Sequence, residues 1–423
     1  MSFFDPSLDL FPLAAATLAA VVCALLGNFL VLRRLSLMGD AISHSVLPGL
    51  VIAFLLTTSR HPAAVFAGAA LAGVATVVLV ELVKKLGRVE PGAAMGVVFS
   101  VLFALGVLLM RHAAADQVDL DAECLLHGDL EALEWWGAPD TIAGLWSMET
   151  LHAAPRQVRV LIVMTLLAAA FVGVFFKELR ISAFDPALAT AQGVHAGVMH
   201  YALMLLVAAA TVASFEAVGS ILVIAMLICP AATARLLTDR LRTQVALSVA
   251  LACAASVIGY FGATLIPAQF DLDSVNAAGS IAVMSGVLLA GAAVFSPSHG
   301  VLSAALRRRR VAREVAMDDL LAAVYRAEEA GTEPAIAAGA ALALATRRGL
   351  VVGGGLSDAG RTRARDLVRR HRLWERYLVD EAGYAADHVH EMAEEFEHTR
   401  LAPESGATTD PHGRPIPGSG SDG

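Results

Sequence analysis

Over the first 300 positions, long apolar stretches alternate with short polar ones. They fall at about 11–32, 41–58, 62–83, 91–110, 160–176, 201–215, 217–234, 245–266 and 277–295. A helix needs roughly 20 apolar residues to cross a hydrocarbon layer, so the pattern predicts an all-α polytopic membrane domain of eight or nine transmembrane helices. The segments around 41–58 and 201–234 are short for full spans, which predicts broken or re-entrant helices there. Beyond about Ser296 the apolar residues stand among charges at helical spacing, and the pattern predicts a small, mostly helical C-terminal domain.

Composition strengthens this division. The chain is 57% hydrophobic and 17% charged, with a mean hydropathy of +0.65, too apolar for a soluble fold of its first 300 residues. Residues 1–300 hold 14 Lys and Arg against 20 acids, whereas 301–423 hold 17 Arg, no Lys and 19 acids. We therefore read 1–297 as a transmembrane domain, 298–316 as a basic linker, 317–401 as a helical domain, and 402–423 as a mostly disordered tail except where DPHGRPIP packs. Basic residues set the expected orientation. With the N-terminus outside, Arg33, Arg34, Lys84, Lys85, Arg88, Lys177, Arg180, Arg235, Arg240 and Arg242 fall on the cytoplasmic side, and only Arg60, Arg111, Arg156 and Arg159 outside. The Arg307–Arg310 run and the C-terminal domain are then cytoplasmic, in a multi-pass protein of a bacterial inner (plasma) membrane. The first ten residues carry Asp5 and Asp9 and no basic cluster, so the first helix is expected to insert uncleaved. Cys23, Cys124, Cys229 and Cys253 form no CxxC pair, and neither a disulfide framework nor a thiolate zinc site is expected.

Two stretches carry chemistry within the apolar region. In LRRLSLMGDAISHSVLPG, Asp40 and His44 stand four residues apart and so share a helix face. Ionisable groups at membrane depth are expensive, and mixed carboxylate and imidazole donors suit a divalent cation. The residues also fit a plainer role, with Asp40 capping a helix from Ala41 and His44 bonded to a carbonyl. Glu216, in SFEAVGS, is a weaker candidate of the same kind. In VGSILVIAMLICPAATARLLTDRLR an apolar helix meets Pro230, and a short basic helix after it can dock on a soluble partner; an ordinary basic span end fits equally well.

These two stretches, with DLDAECLLHGDLEAL between them, resemble the permease family of manganese, zinc and iron ABC importers over roughly residues 10–297. The resemblance implies a type II ABC importer permease that works with a second permease (a copy or a paralogue), an ATPase subunit and an extracytoplasmic metal-binding protein. It places Asp40 and His44 in the translocation path and implies that Pro230, Ala231, Ala232, Arg235, Leu236 and Arg240 contact the ATPase. No GxxxxGK[ST] sequence occurs in the chain, so ATP hydrolysis is expected in a separate subunit and this chain is not expected to be an enzyme.

The C-terminal region adds a second set of ligand-type residues. His371 and Glu375 stand at i, i+4, and His390, Glu394, Glu397 and His398 follow at i, i+4, i+7 and i+8. Such stripes suit a two-cation site, though charged stripes are also common as solvated faces. LSDAGRTRARDLVRRHRLWERYL, VHEMAEEFEHT and DPHGRPIPG resemble the diphtheria toxin repressor and manganese repressor group of metalloregulators over about 317–418. The resemblance implies cytoplasmic metal ligands at Asp319, His371, Glu375, His390, Glu394, Glu397 and His398. It also implies manganese, through the carboxylate of Glu394 in place of a thiol. Ala322 stands where manganese-responsive members are acidic, which puts one of two ions in doubt. Residues 325–356 are too short for a helix-turn-helix, so DNA binding is not expected. The expected function is import of a divalent metal, manganese first and zinc or iron as alternatives, with a metal-sensing tail that slows import as internal metal rises. The metal is substrate and tail ligand, with no permanently bound cofactor. A membrane-tethered sensor that transports nothing and an ion-driven secondary transporter are the other classes considered.

Overall fold

The computed structural model describes residues 6–35, 37–57, 62–114, 130, 133, 154–270, 275–334, 339–398, 403 and 405–418. It divides into two compact units, Met1–Ser303 and Ala304–Gly423. The stretch Asp119–Leu133 lies outside the described residues save Leu130 and Leu133, and so do Arg60 and Cys124.

The first unit is built from α1 (Pro6–Leu32), α2 (Met38–Thr57), α3 (Pro62–Gly87), α4 (Pro91–Ala114), α5 (Arg156–Val174), the short α6 (Phe176–Phe184) and α7 (Pro186–Ala191), α8 (Ala196–Leu237), α9 (Leu241–Ala268) and α10 (Ala277–Phe295). Eight of these are long and apolar enough to cross a membrane. The 42-residue α8 is interrupted at Gly219, where φ 76 and ψ 167 lie in a region essentially reserved for glycine.

The contacts at its ends show that the chain reverses there. At the start of α8, His200 meets Arg33, just past the end of α1. Near the break, Glu216 pairs with Arg156 at the opposite end of α5, and Ile221 lines a pocket with Ile266 and Asn276. Shortly after α8 ends, Gln244 bonds Asn28 and Arg242 lies over the Phe176 ring, back at the Arg33 end. The two legs of α8 therefore run in opposite senses, and the described helices make nine crossings. The break lies within the stretch that the sequence predicts as broken. The other such stretch is not broken: α2 is one continuous helix with Pro48 inside it.

Small residues let these helices touch. A Cβ on Gly27 would sit 2.0 Å from the Leu227 carbonyl oxygen, so α1 and the second leg of α8 meet backbone to backbone; Gly49 and Gly68 do the same for α2 and α3. Buried polar groups are paired across helices as well. Asn28 Nδ2 donates to Ser248 Oγ at 2.6 Å, and Gln244 Nε2 donates to Asn28 Oδ1 at 3.0 Å, tying α1 to α9.

A helix α11 (Val301–Glu329) occupies the segment read as a linker, because VLSAALRRRRVAREVAMDDL contains neither Gly nor Pro and consists mostly of good helix formers. The second unit continues with α12 (Ala340–Arg347), strands β1 (Val351–Val352) and β2 (Gly355–Leu356), α13 (Asp358–Asp380), a 3-10 turn at Ala386–His388 and α14 (His390–Glu397). The strands are antiparallel, with Val351 opposite Leu356, and turn through Gly353 and Gly354 at positive φ. Met317, Leu321, Ala345, Leu350, Val351 and Ala364 form the small core. The DPHGRPIP segment folds as a turn in which Asp410 Oδ1 accepts from the His412 and Arg414 backbone N–H groups. The buried Arg372 of α13 donates to the Pro415 carbonyl oxygen and pairs with Glu329.

Candidate metal centres

Within the first unit, α2 begins at Met38, so Asp40 is inside the first turn rather than at the cap. Its Oδ1 lies 3.3 Å from His44 Nε2, and the two side chains keep 36% and 25% of their exposure. The His44 ring is held by α4, tilted on Phe99 at 5.2 Å and edge-on to Phe103 at 5.7 Å. Pro48 has no N–H to give the His44 carbonyl, so that oxygen lacks its usual helical donor. Glu216 is instead occupied by Arg156 at 3.2 Å and is not brought to this pair.

The segment expected to contact an ATPase is arranged differently from the sequence reading. No separate helix follows Pro230; the residues continue α8 to Leu237, with Pro230, Ala231 and Ala234 buried and Ala232 half-buried. Ala and Leu at successive positions carry the helix on, and a proline without an N–H bends it without ending it. The Leu236 carbonyl accepts from Ser296 Oγ, and Arg235 pairs with Asp239 at 3.5 Å. Arg240, beyond the helix, is exposed. On the same end of the domain α7 is exposed apart from the buried Ala189. Asp185 caps it by accepting from the Leu188 N–H at 2.9 Å, Pro186 opens it, and Leu188 is 46% exposed. Asp-Pro at its start and Gln-Gly after it were the available sequence signals.

The second unit brings together most of its predicted ligands in two groups. His371 and Glu375 of α13 face His390 at the start of α14. His371 Nε2, Glu375 Oε1 and His390 Nδ1 are 3.1, 3.0 and 2.9 Å apart. Metal–ligand bonds of about 2.1 Å at right angles put neighbouring donors about 3.0 Å apart, so the three atoms form one face of an octahedron. The buried Glu375 Oε2 has no hydrogen-bond partner among the described residues, and two imidazole nitrogens face each other with at most one proton between them. A divalent cation fits this donor set. Behind it, His371 Nδ1 lies 2.5 Å from Glu397 Oε2, the arrangement in which a carboxylate orients a metal-bound imidazole.

Glu397 joins this group to the second, in which Asp319 Oδ1 is 3.0 Å and Glu397 Oε1 3.7 Å from His398 Nε2. Burial opposes the charge of His371, but bonds to Glu375 and Glu397 outweigh it and raise its pKa. Burial would likewise raise Glu375, yet His371 and His390 hold its pKa down at about 2. Asp319 is raised, by burial first. One of the seven expected ligands lies outside both groups. Glu394 is exposed and is not one of the donors grouped in either set, though its charge acts on Asp319 of the second. Ala322 is packed against Leu367 and Val368, so an acid there would be buried in an apolar cluster. Between Tyr325 and Leu356 the described residues hold one helix of eight residues and the Gly-turned strand pair.

Residues 10–134 and 149–296 match the family described as "ABC 3 transport family", and residues 357–418 match "Iron dependent repressor, metal binding and dimerisation domain". The chain is 39% identical over 308 residues to "Manganese transport system membrane protein MntD" of Bacillus subtilis (strain 168), covering 73% of this chain and 99% of that one. It is 40% identical over 303 residues to "Zinc transport system membrane protein TroD" of Treponema pallidum (strain Nichols), covering 72% and 77%. Among solved structures it is similar to "PsaBC from Streptococcus pneumoniae in complex with Fab", with a TM-score of 0.53, 29% identity and coverage of 69% and 92%. With two thirds of its length in one family match and relatives that follow the same span, the chain belongs to the ABC 3 transport family.

Proposed function

We propose that the chain is the permease subunit of an ATP-driven importer of a divalent metal, manganese above zinc or iron, with its C-terminal unit serving as a cytoplasmic metal sensor. The observation that carries the transport reading is the Asp40–His44 pair, partly exposed within an apolar helix. Two side-chain donors hold a divalent ion only weakly, which is what a pathway requires. A second permease facing this one would supply further ligands. The resemblance of this chain to manganese and zinc transport proteins supports the substrate class.

The orientation we propose puts the Arg33 end of the spans in the cytoplasm, as the excess of basic residues there favours. On that side the separate ATPase would grip the exposed α7 around Leu188, with Arg240 beside it, while the buried Pro230, Ala231 and Ala232 transmit movement within α8. Closure of the ATPase pair would then tilt α8 and open the pathway inward. An extracytoplasmic binding protein would deliver the ion at the other end.

For the sensor, His371, Glu375 and His390 would hold one ion, and Asp319, Glu397 and His398 a second. The ion supplies charge that neutralises buried carboxylates; the chain supplies three imidazoles and three carboxylates, a mixture suited to manganese and tolerant of zinc or iron. The sensor slows import only if one arrangement of the tail binds metal more tightly than the other. ATP-dependent manganese uptake in vesicles containing the permease, its ATPase and its binding protein tests the function, with zinc and ferrous iron as competitors. Saturable uptake lost in Asp40→Asn is expected; the absence of ATP-dependent flux of any metal would overturn the permease reading.

A further inference from the structure

At the end of the membrane unit where α1, α3 and the start of α8 meet α6 and α7, a cavity of about 470 Å³ is lined by Arg33, Arg34, Lys84, Lys85, His200 and Tyr201, with Glu81 as its acidic residue. Its floor is apolar, formed by Leu32, Leu35 and Pro91 among others. Four cations against one carboxylate leave the lining with an excess of three positive charges. Glu81 is shared by Lys84 at 2.9 Å and His200 at 3.1 Å. The half-buried Arg33 donates only to neutral acceptors, His200 Nδ1 at 3.0 Å and Ser182 Oγ at 2.9 Å, and its buried Nε has no partner among the described residues. Lys85 is bonded to the Tyr201 hydroxyl at 3.1 Å. Neither Arg33, Arg34 nor Lys85 has a carboxylate within ion-pair distance among the described residues.

Backbone geometry points the same way. Arg34 ends α1 at φ 57, in the left-handed region where glycine is the usual residue. A cation is kept where the main chain alone would prefer no side chain. We infer that this cavity binds the phosphate of an anionic phospholipid headgroup, with the cations on the phosphate and the apolar floor under the glycerol and first methylenes. Basic pockets between helices at the level where the apolar spans end are suited to such headgroups. A bound lipid would brace α1, α3 and α8 beside the exposed α7. The inference does not depend on which metal is carried.

The test uses the full-length protein purified in neutral detergent, with phosphatidylglycerol, phosphatidylcholine of the same chains, or inorganic phosphate added. Lipid retention is read by native mass spectrometry and stability by thermal unfolding. Arg34→Gly relieves the left-handed backbone while removing a cation, and Lys85→Gln lies at the exposed rim, so the double variant is expected to fold as well as the parent. The parent should retain phosphatidylglycerol at least tenfold better than phosphatidylcholine and unfold at higher temperature with it. The double variant should lose that preference while matching the parent in phosphatidylcholine. Equal retention of the two lipids by the parent, or an unchanged preference in a folded double variant, would overturn the site. Binding of inorganic phosphate without lipid preference would overturn the lipid as its source.

Discussion

The two regions that gather metal-type ligands are built to opposite specifications. In α2, Asp40 and His44 offer two donors, a quarter to a third exposed, against two phenylalanine rings. In the second unit, His371 and Glu375 are 4% and 1% exposed, His390 at 51% exposure closes an octahedral face, and a second carboxylate backs the imidazole. Few ligands with no carboxylate behind them suit an ion that must leave; more of them, built around a buried and pre-oriented pair, suit an ion that must be counted. On the proposed reading, the same residue types would serve passage or retention according to their number and backing, not their identity.

The comparison breaks most sharply at Asp40. Asp40→Asn should lower ATP-dependent manganese uptake by about a hundredfold or more, since loss of a direct ligand exceeds the 10–100-fold effect of an outer-shell change. Metal binding to the C-terminal unit, followed by equilibrium dialysis of the same preparation, should be unaltered. The converse variant, Glu375→Gln, should weaken tail binding by about a hundredfold and leave initial uptake at low internal metal intact. Loss of both properties in either variant would mean that the two regions are one site.

Glu397 sharpens the comparison because it touches both groups of the tail. Glu397→Gln should weaken the His371 site, where it is an outer-shell partner, by about 10–100-fold, and the Asp319 site, where it would be a direct ligand, by more, so binding curves should show both sites affected. The pH dependence has a definite sign. Protonated His371 is stabilised by Glu375 and Glu397, so this contribution to the metal-free fold is complete below pH 6.5 and lost as pH rises through the raised pKa. Metal competes with that proton, so the thermal shift produced by manganese should grow from pH 5.5 to pH 8. A shift that shrinks with pH would remove His371 from the ligand set. The smallest effect expected is regulatory: deletion of residues 311–423 should raise uptake a few-fold, and only at high internal metal. Identical uptake at every internal concentration would leave the tail without a role in transport.

How much of this was legible in the sequence differs between the same two regions. Helix-period spacing placed Asp40 with His44 and His371 with Glu375, because i, i+4 neighbours meet whatever the rest of the fold does. The partnership of His390 with the second of those pairs crosses helices, and only the resemblance pointed to it. Periodicity sets a stripe but not which edge of it packs inward, so it could not tell that Glu397 would be buried while Glu394 stays exposed. The error at Pro230 was of another kind: proline suggested an ending, whereas burial of Ala231 and Ala234 keeps the helix going. The short α7 was missed because six residues carry too little periodicity, although its Asp-Pro and Gln-Gly punctuation was present.

One residue governs the parity of the whole membrane unit. Because the chain doubles back at Gly219 without a loop, the described helices make nine crossings where a straight α8 would leave eight. Were that glycine a residue confined to ordinary helix, the apolar legs would be asked to form one rod of about 63 Å, twice the thickness of the hydrocarbon layer. Every later charge would then be delivered to the wrong compartment. On the proposed reading, a sensor would report on the metal that its own transporter has moved only if both looked into the same water, and that shared view would depend on a single missing side chain.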